Sequence, residues 1–454
     1  MRKIFAIFTA LLLLSCSTNH DEVIVNISSQ NTLTKQHEQI RNVVMDVLSK
    51  IDPPTRGSAR TIKNIESITY GELFGDKTRN EIDSINKFIT DTALYVVNFT
   101  NNSGYALLKP NVEQYNPDDW GTNQQNTTPI SLLAITESGS LTADQITAYG
   151  NDIDNSDFSI SDFYVEADDD YLIGGANADE FVSRLAVNYT YNKNNYEENL
   201  GDIAAYVEID KIAHEKVDPL LKTKWRQRAP FNYYFPLKDN GVTKHPAGCI
   251  PIAVAQIVTF FHNVDLSYHF GVTQHTWIDI EEEIYERNDT TTYNDIRYST
   301  AKIIKRMADH IGVKYNYGTK NHKGTFATPR MAQKYLEDYL GYDVERKVEG
   351  RGSKRLKEIV SSLNDNKPVL MAAIGKGSGH AWVVDGYMQN QYSSDSDKTT
   401  DYYIHCNFGW GGVSDGWYLI GMLSNDKNDD SLLDFENLER EINYTCFFRY
   451  LFFN

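Results

Sequence analysis

Apolar residues in the C-terminal half of the chain follow first a helical and then a strand-like spacing. In residues 301–313 and again in residues 354–364 they recur every three or four positions, which predicts two amphipathic helices. Short apolar runs typical of buried strands come next, at residues 369–374, 380–385 and 402–408. Helices followed by a sheet predict an α+β fold.

The N-terminal half carries a hairpin pattern. Residues 94–99 have the pattern of a strand, residues 101–104 that of a turn and residues 105–108 that of the returning strand, and a further apolar run occupies residues 130–135. The polar stretch at residues 192–198 has the composition of a domain boundary. We therefore predict a leader, an N-terminal domain and a C-terminal domain, at residues 1–15, 16–205 and 206–454.

Residues 1–15 have the pattern of a bacterial export signal. Arg2 and Lys3 supply the positive start, and the apolar run of residues 4–14 is too short to span a membrane. The run ends in Leu-Leu-Ser-Cys at Cys16, which resembles a bacterial lipobox. This implies cleavage before Cys16, a lipid on its sulfur, and an exported lipoprotein held at the outer membrane or cell surface. The alternative is an ordinary secretory signal with a chance cysteine.

Composition narrows the class of protein further. The chain has 454 residues, of which 41% are hydrophobic, so each domain can bury a core and a wholly disordered protein is excluded. Only the leader is continuously apolar, which excludes a polytopic membrane protein. The net charge of −18 argues against nucleic-acid binding, which needs Lys and Arg facing phosphates. Four cysteines are too few for a disulfide scaffold.

Clustered aspartates in residues 152–170 raise the question of a calcium site. An EF-hand loop beginning at Asp152 needs glycine at its sixth position and glutamate at its twelfth, where the chain has Asp157 and Phe163. Because Phe163 cannot ligate a cation, the sequence favours solvated acidic loops and predicts no metal site.

Cys249 stands at the predicted start of a buried helix. Gly248 permits a tight backbone entry, and Pro251 suits the first helical turn, where its missing N–H costs nothing. At that place backbone N–H groups and the helix dipole favour a thiolate, which a nucleophilic cysteine needs. A buried cysteine acting as a small hydrophobic residue fits the segment equally well.

His380 follows a glycine-rich stretch, residues 375–379, at the start of a predicted strand. The glycines do not predict a nucleotide-binding loop, because no helix N-terminus follows them. A single histidine is more often structural than catalytic. However, His380 follows Cys249 by 131 residues, and papain-type cysteine proteases separate these two residue types by about 130–150.

Asn407 closes the next predicted strand, just before an aromatic, glycine-rich turn at residues 408–412. From there its side chain can accept the His380 ring N–H and fix the tautomer, while Trp410 can shield that bond from water. A turn without any chemical role accounts for these residues equally well.

These segments together resemble the streptopain-like cysteine peptidases. The matching residues occur in family order, at 219–233, around Cys249, at 379–381 and at 407–412. The resemblance implies a papain-like fold, in which a helical part packs beside an antiparallel sheet. It covers most of residues 219–420.

The resemblance also implies a role for each matching residue. Cys249 matches the nucleophile, His380 its general base and acid, and Gln227 the side chain of the oxyanion hole. Asn407 matches the residue that orients the histidine, and Trp410 falls among the aromatic residues around it. The chain departs from the family in having Phe408 in place of a tryptophan and Pro251 in place of a small residue.

The N-terminal domain resembles, more weakly, the inhibitory prodomain of the same family. The resemblance rests on residues 94–108 and 129–141. It implies that this domain covers the cleft as an intramolecular inhibitor and is removed by a cut within residues 190–218. A cut near residue 200 would leave the lipid on the prodomain and release the peptidase.

The sequence therefore predicts the lipoprotein precursor of a cysteine endopeptidase that acts on proteins or peptides and requires no cofactor. Three alternatives stay open. They are an inactive binding protein of the same fold, a Cys–His amidase acting on cell-wall peptides, and a purely structural surface lipoprotein.

Overall fold

The computed structural model describes residues 20–52, 60–74, 91–110, 130–150, 178–193, 216–283, 294–318, 323–348, 352–375, 378–393, 398–423 and 447–454. The chain divides into two compact units, residues 1–53 with 111–130 and residues 54–110 with 131–454. The first unit contains helix α1 (His20–Ile51). Its buried residues recur at helical spacing, at Ile40, Val44, Val47 and Leu48.

The other helices and the strands alternate irregularly along the chain. The helices are α2 (Tyr70–Phe74), α3 (Ala143–Gly150), α4 (Ala178–Lys193), α5 (Cys249–Phe261), α6 (Leu266–Phe270), α7 (Trp277–Glu282), α8 (Asp295–Ile311), α9 (Pro329–Asp338) and α10 (Gly352–Asn364). The strands are β1 (Ile62–Thr69), β2 (Thr92–Phe99), β3 (Tyr105–Pro110), β4 (Ile130–Thr136), β5 (Lys216–Val217), β6 (Lys314–Gly318), β7 (Lys323–Phe326), β8 (Val344–Val348), β9 (Val369–Gly375), β10 (Ser378–Ser393), β11 (Lys398–Asn407), β12 (Gly416–Leu419) and β13 (Phe447–Phe453).

One sheet of eleven strands organises the second unit. Its order is β1-β2-β3-β4-β12-β11-β10-β9-β13-β8, and β5 pairs with β10. The join between β4 and β12 is antiparallel, with Trp417 opposite Ile135. The predicted N-terminal and C-terminal domains therefore contribute strands to the same sheet.

Helix α5 forms the centre of the helical part. Residues 250–259 are all buried, which fits a helix that is apolar on every side. It packs against β9 and β10 and against helices α7, α8 and α9. Cys249, the first residue of α5, is thereby fixed at the junction between helices and sheet.

The predicted α+β class is confirmed, and so are the elements that the apolar pattern indicated. Helix α8 begins earlier than predicted, because the Asn294 side chain caps it by accepting from the Arg297 N–H, and it ends at Gly312 in the left-handed conformation. Among the described residues, no helix is both long and apolar enough to cross a membrane. The domain boundary predicted at residue 205 and the leader lie outside the described residues.

Candidate active site

Cys249 begins α5 immediately after a glycine with a positive φ. Gly248 has a φ of 95°, and a Cβ there would lie 3.1 Å from Thr325 Cγ2, so the chain can turn into the helix here only with glycine. Burial raises the pKa of the Cys249 thiol, while backbone N–H groups, that of Ala381 foremost, lower it by less. Because Ala381 follows His380, the structure brings the predicted nucleophile to the strand that carries the predicted base.

His380 lies near the start of β10 with its ring buried. Its Nε2 lies 2.9 Å from the carbonyl oxygen of Phe408. Since a carbonyl oxygen only accepts, Nε2 carries the proton and Nδ1 keeps a free lone pair. Nδ1 has no hydrogen-bond partner among the described residues. In this tautomer Nδ1 is the ring nitrogen at which a proton would be accepted.

The hydrogen bond expected between His380 and Asn407 is not the one the structure has. Asn407 is buried, and its Nδ2 donates to the Thr223 carbonyl at 2.8 Å. Its Oδ1 accepts from Gln256 Nε2 at 3.1 Å and from the Gly409 N–H at 3.2 Å. Both side-chain atoms are thus engaged, and the backbone carbonyl of the next residue accepts from the histidine instead. The catalytic role of Asn407 stays a prediction.

Aromatic rings enclose the His380 imidazole, as the sequence indicated for Trp410. The Trp410 ring is stacked on it at 4.6 Å between centroids and 22° between planes. Phe408 and Trp382 are stacked nearby at 6.1 Å and 6.0 Å. The phenylalanine at position 408 therefore still supplies an aromatic wall, while its backbone carbonyl holds the histidine.

Phe181 completes this enclosure from helix α4, and the sequence analysis missed it. Its ring lies edge-on, 5.6–5.9 Å between centroids, to the rings of His380, Trp382, Phe408 and Trp410. Nothing in the local sequence marks Phe181 apart from its place in an apolar helical pattern. Its contact with the site depends on tertiary packing alone.

The enclosed site holds its two reactive groups in uncharged form. Burial lowers the pKa of His380 to about 3, only partly offset by the Phe408 carbonyl. Burial also raises the pKa of the Cys249 thiol. With both shifts in these directions, the covered site favours a neutral thiol and a neutral imidazole at pH 7.

Gln227 is buried close to the nucleophile segment. Its backbone carbonyl accepts from the Ala247 N–H at 2.7 Å, two residues before Cys249. Its side-chain Nε2 is a buried donor without a partner among the described residues. Buried donors are nearly always paired. An unpaired Nε2 beside the segment of Cys249 fits a donor whose partner would be the oxyanion formed during the reaction. Its predicted role is consistent with this geometry.

A second cluster, which the sequence did not reveal, links the residue after β4 to strands β10 and β11 through charged side chains. His405 Nδ1 lies 2.7 Å from Asp385 Oδ1, and its Nε2 lies 3.5 Å from Glu137 Oε1. Glu137 Oε2 also pairs with Lys224 Nζ at 2.7 Å. Burial alone would lower the pKa of His405, but the two carboxylates outweigh it and raise the pKa to about 10.

The His405 shift predicts a loss of stability in alkali. A folded-state pKa of about 10, against an ordinary 6.5, adds stability that is complete below pH 6.5 and disappears as the pH rises towards 10. We expect the unfolding free energy of the full chain, measured in urea, to fall more steeply between pH 7 and pH 10 than that of His405→Gln. Replacement of the exposed His310 by glutamine is the matched control and should keep the wild-type slope. Equal slopes for all three proteins would contradict the shift.

Among the described residues, no group of three or more His, Cys, Asp or Glu side chains is placed to hold a metal ion. Residues 152–170, where the sequence raised a calcium site, lie outside that part of the chain. Cys16 and Cys446 also lie outside it, whereas Cys249 and Cys406 are free thiols.

The chain is similar in sequence to known cysteine proteases. Residues 225–418 match the Peptidase C10 family. Streptopain of Streptococcus pyogenes serotype M1 is 30% identical over 251 residues, which are 48% of this chain and 59% of streptopain. The thiol protease/hemagglutinin PrtT of Porphyromonas gingivalis is 25% identical over 228 residues, 46% of this chain and 24% of that protein. The chain thus spans about three fifths of the streptopain it matches.

Two solved structures from Prevotella intermedia are also similar. A prointerpain A fragment aligns with a TM-score of 0.44 and 18% identity, over 78% of this chain and 94% of the fragment. Active interpain A cysteine protease aligns with a TM-score of 0.37 and 20% identity, over 53% of this chain and 96% of that chain. Residues 225–418 are therefore similar to the Peptidase C10 family, and the likeness to streptopain extends over 251 residues.

Proposed function

We propose that this chain is the latent precursor of a cysteine endopeptidase that hydrolyses peptide bonds through Cys249 and His380. The observation that carries the proposal is the state of the His380 ring. Its Nε2–H is held by the Phe408 carbonyl, its Nδ1 is without a partner among the described residues, and the following N–H, of Ala381, faces the Cys249 thiol. These contacts place the base and the nucleophile on adjoining segments, and the proposed reaction requires Nδ1 to reach the Cys249 thiol when the site opens.

The reaction follows from these groups. His380 Nδ1 takes the Cys249 proton, and the thiolate attacks the peptide carbonyl carbon. The oxyanion receives hydrogen bonds from the Cys249 backbone N–H and Gln227 Nε2, a contribution of about 3–4 kcal/mol for each donor in related chemistry. The imidazolium then protonates the leaving amine as the C–N bond breaks. Water, activated by the same imidazole, hydrolyses the thioester and restores the thiol.

The class of substrate can be tested with protein and cell-wall peptide in parallel. We expect the processed chain to hydrolyse casein under reducing conditions, to lose this activity on treatment with iodoacetamide and to keep it in EDTA. Hydrolysis of muropeptides without hydrolysis of casein would favour an amidase. Loss of activity with the chelator but not with the alkylating agent would contradict the mechanism.

The N-terminal region is proposed to keep the enzyme latent by covering His380. Phe181 of α4 closes the aromatic enclosure, and β4 extends the peptidase sheet beside β12. In both contacts, one partner precedes the predicted cut and the other follows it. That cut is expected within residues 190–218. Removal of the N-terminal segment would expose the imidazole to water, raise its pKa towards the ordinary value and let it share a proton with Cys249.

Export and lipid attachment are part of the proposal and rest on the leader sequence alone. The Leu-Leu-Ser-Cys run supports cleavage before Cys16 and anchoring of the precursor at the outer membrane or cell surface. Expression in a Gram-negative host followed by detergent partitioning tests this. Wild type should enter the detergent phase with a lipid-sized mass increase, and Cys16→Ser should not. Equal partitioning of the two proteins would contradict lipidation.

A further inference from the structure

Gln256 is a buried amide on the nucleophile helix that the reaction itself does not use. It lies seven residues after Cys249, and its side chain is completely buried among apolar residues of α5. A buried amide without partners is costly, so its hydrogen bonds reveal what it is there to hold.

Both ends of the Gln256 side chain bind segments that shape the active site. Its Oε1 accepts from the Trp225 N–H at 3.1 Å, and its Nε2 donates to Asn407 Oδ1 at 3.1 Å. A backbone N–H can only donate, so the Trp225 bond fixes which end of the amide is oxygen. Trp225 stands two residues before Gln227, the predicted oxyanion donor. Gln256 therefore connects the nucleophile helix to the segment of the oxyanion hole.

The bond to Asn407 leads to the histidine through one peptide group. Asn407 Oδ1 also accepts from the Gly409 N–H, at 3.2 Å. That N–H and the Phe408 carbonyl belong to the same planar peptide unit. The carbonyl end of this unit is the acceptor of His380 Nε2 at 2.9 Å. The direction in which the histidine donates thus depends on how Asn407 is held.

The same peptide unit lies directly on the nucleophile helix. A Cβ at Gly409, which has a φ of 71°, would lie 2.9 Å from Ile252 Cγ2. Ile252 is three residues after Cys249, on the same helix. Gly409 therefore lies close against α5, with no room for a side chain between them. The preceding peptide unit, of residues 407–408, is held by Asp415, whose Oδ1 accepts from the Phe408 N–H at 2.8 Å.

We propose that Gln256 is a positioning residue that sets the geometry of the Cys249–His380 pair. It holds Asn407, Asn407 holds the peptide unit of residues 408–409, and that unit holds the histidine tautomer. The inference rests on the proposed function, because it concerns the same reacting pair. Gln256 contacts neither substrate nor the reacting atoms.

The test compares two replacements of Gln256 with a control on the same helix. Gln256→Met keeps the length of the side chain and removes both hydrogen bonds. Gln256→Glu keeps both bonds only while its carboxyl group is protonated, because a carboxylate can still accept from the Trp225 N–H but has no proton to donate to Asn407 Oδ1. Thr259→Val is the control: Thr259 is also fully buried on α5, and its hydroxyl has no partner among the described residues.

The full chain, activated by limited proteolysis, is assayed with a peptide substrate between pH 5 and pH 9. We expect Gln256→Met to lower kcat by about 10- to 100-fold at every pH, with KM changed less than about twofold. Gln256→Glu should approach wild type at the acid end and lose kcat as the pH rises. Thr259→Val should keep the wild-type kcat and pH profile. Circular dichroism at each pH shows whether a variant is folded, and only folded variants are compared.

A merely structural role would give a different result. Folded Gln256 variants with the wild-type kcat and pH profile, and only a lower melting temperature, would overturn the inference. The rate of Cys249 alkylation tests the positioning role independently of peptide hydrolysis. It should fall in Gln256→Met and not in Thr259→Val. If the alkylation rates differ between the variants as expected but the wild-type protein hydrolyses no peptide, the proposed function fails while the positioning role stands.

Discussion

Replacing Cys249 with alanine is expected to lower kcat of the activated chain by about 10⁴-fold or more. The thiolate is the only group in the proposed reaction that forms a bond to the substrate, so the remaining groups can bind and polarise the carbonyl but cannot form the thioester. Hydrolysis of a fluorogenic peptide under reducing conditions measures the loss.

Cys406 offers the matched control for this change. It is also a free thiol, but it is buried in β11, and burial raises its pKa well above the ordinary value. Cys406→Ala should keep kcat within about twofold, apart from any loss of folded protein. Retention of activity in Cys249→Ala, or an equal loss in the two variants, would contradict the assignment of the nucleophile.

The uncleaved chain should become reactive when Phe181 is replaced by alanine. Removing the ring opens the enclosure around His380, admits water and raises the pKa of the imidazole from about 3 towards its ordinary value. A protonated imidazole in turn stabilises the Cys249 thiolate. We expect iodoacetamide to alkylate Cys249 at least about tenfold faster at pH 7, since one unit of thiol pKa corresponds to a factor of ten.

Leu185→Ala is the control for a general loosening of helix α4. Leu185 is buried one turn further along α4 and has no ring to place against His380. It should leave the alkylation rate close to that of wild type. Equal acceleration by the two variants would show that loss of packing, rather than loss of the Phe181 cover, exposes the thiol.

Much of the fold and of the site could be predicted because its signals are local. The apolar pattern located β9, the core of β10 and the helices before them, and Gly248 with Pro251 indicated where α5 begins. The spacing of Cys249 and His380 suggested a pair that the structure brings together at Ala381. Such features depend on neighbours in sequence or on a known order of motifs.

The contacts that the sequence did not reveal join residues far apart in the chain. The acceptor for His380 is a backbone carbonyl, at Phe408, and every residue type has one, so no pattern of side chains could indicate it. The Phe181 cover and the pairing of Glu137 with His405 each depend on how the strands of one sheet and the helix beside them pack. Their residues are ordinary in type and in local spacing.

The most direct test of the account is the pH dependence of Cys249 alkylation in the activated chain, with and without His380. The account predicts that the wild-type thiol reacts well below the ordinary cysteine pKa, because an imidazolium stabilises the thiolate, and that His380→Ala moves the profile up towards that ordinary value. Coincident profiles for the two proteins would show that no thiolate–imidazolium pair forms, and would contradict the account.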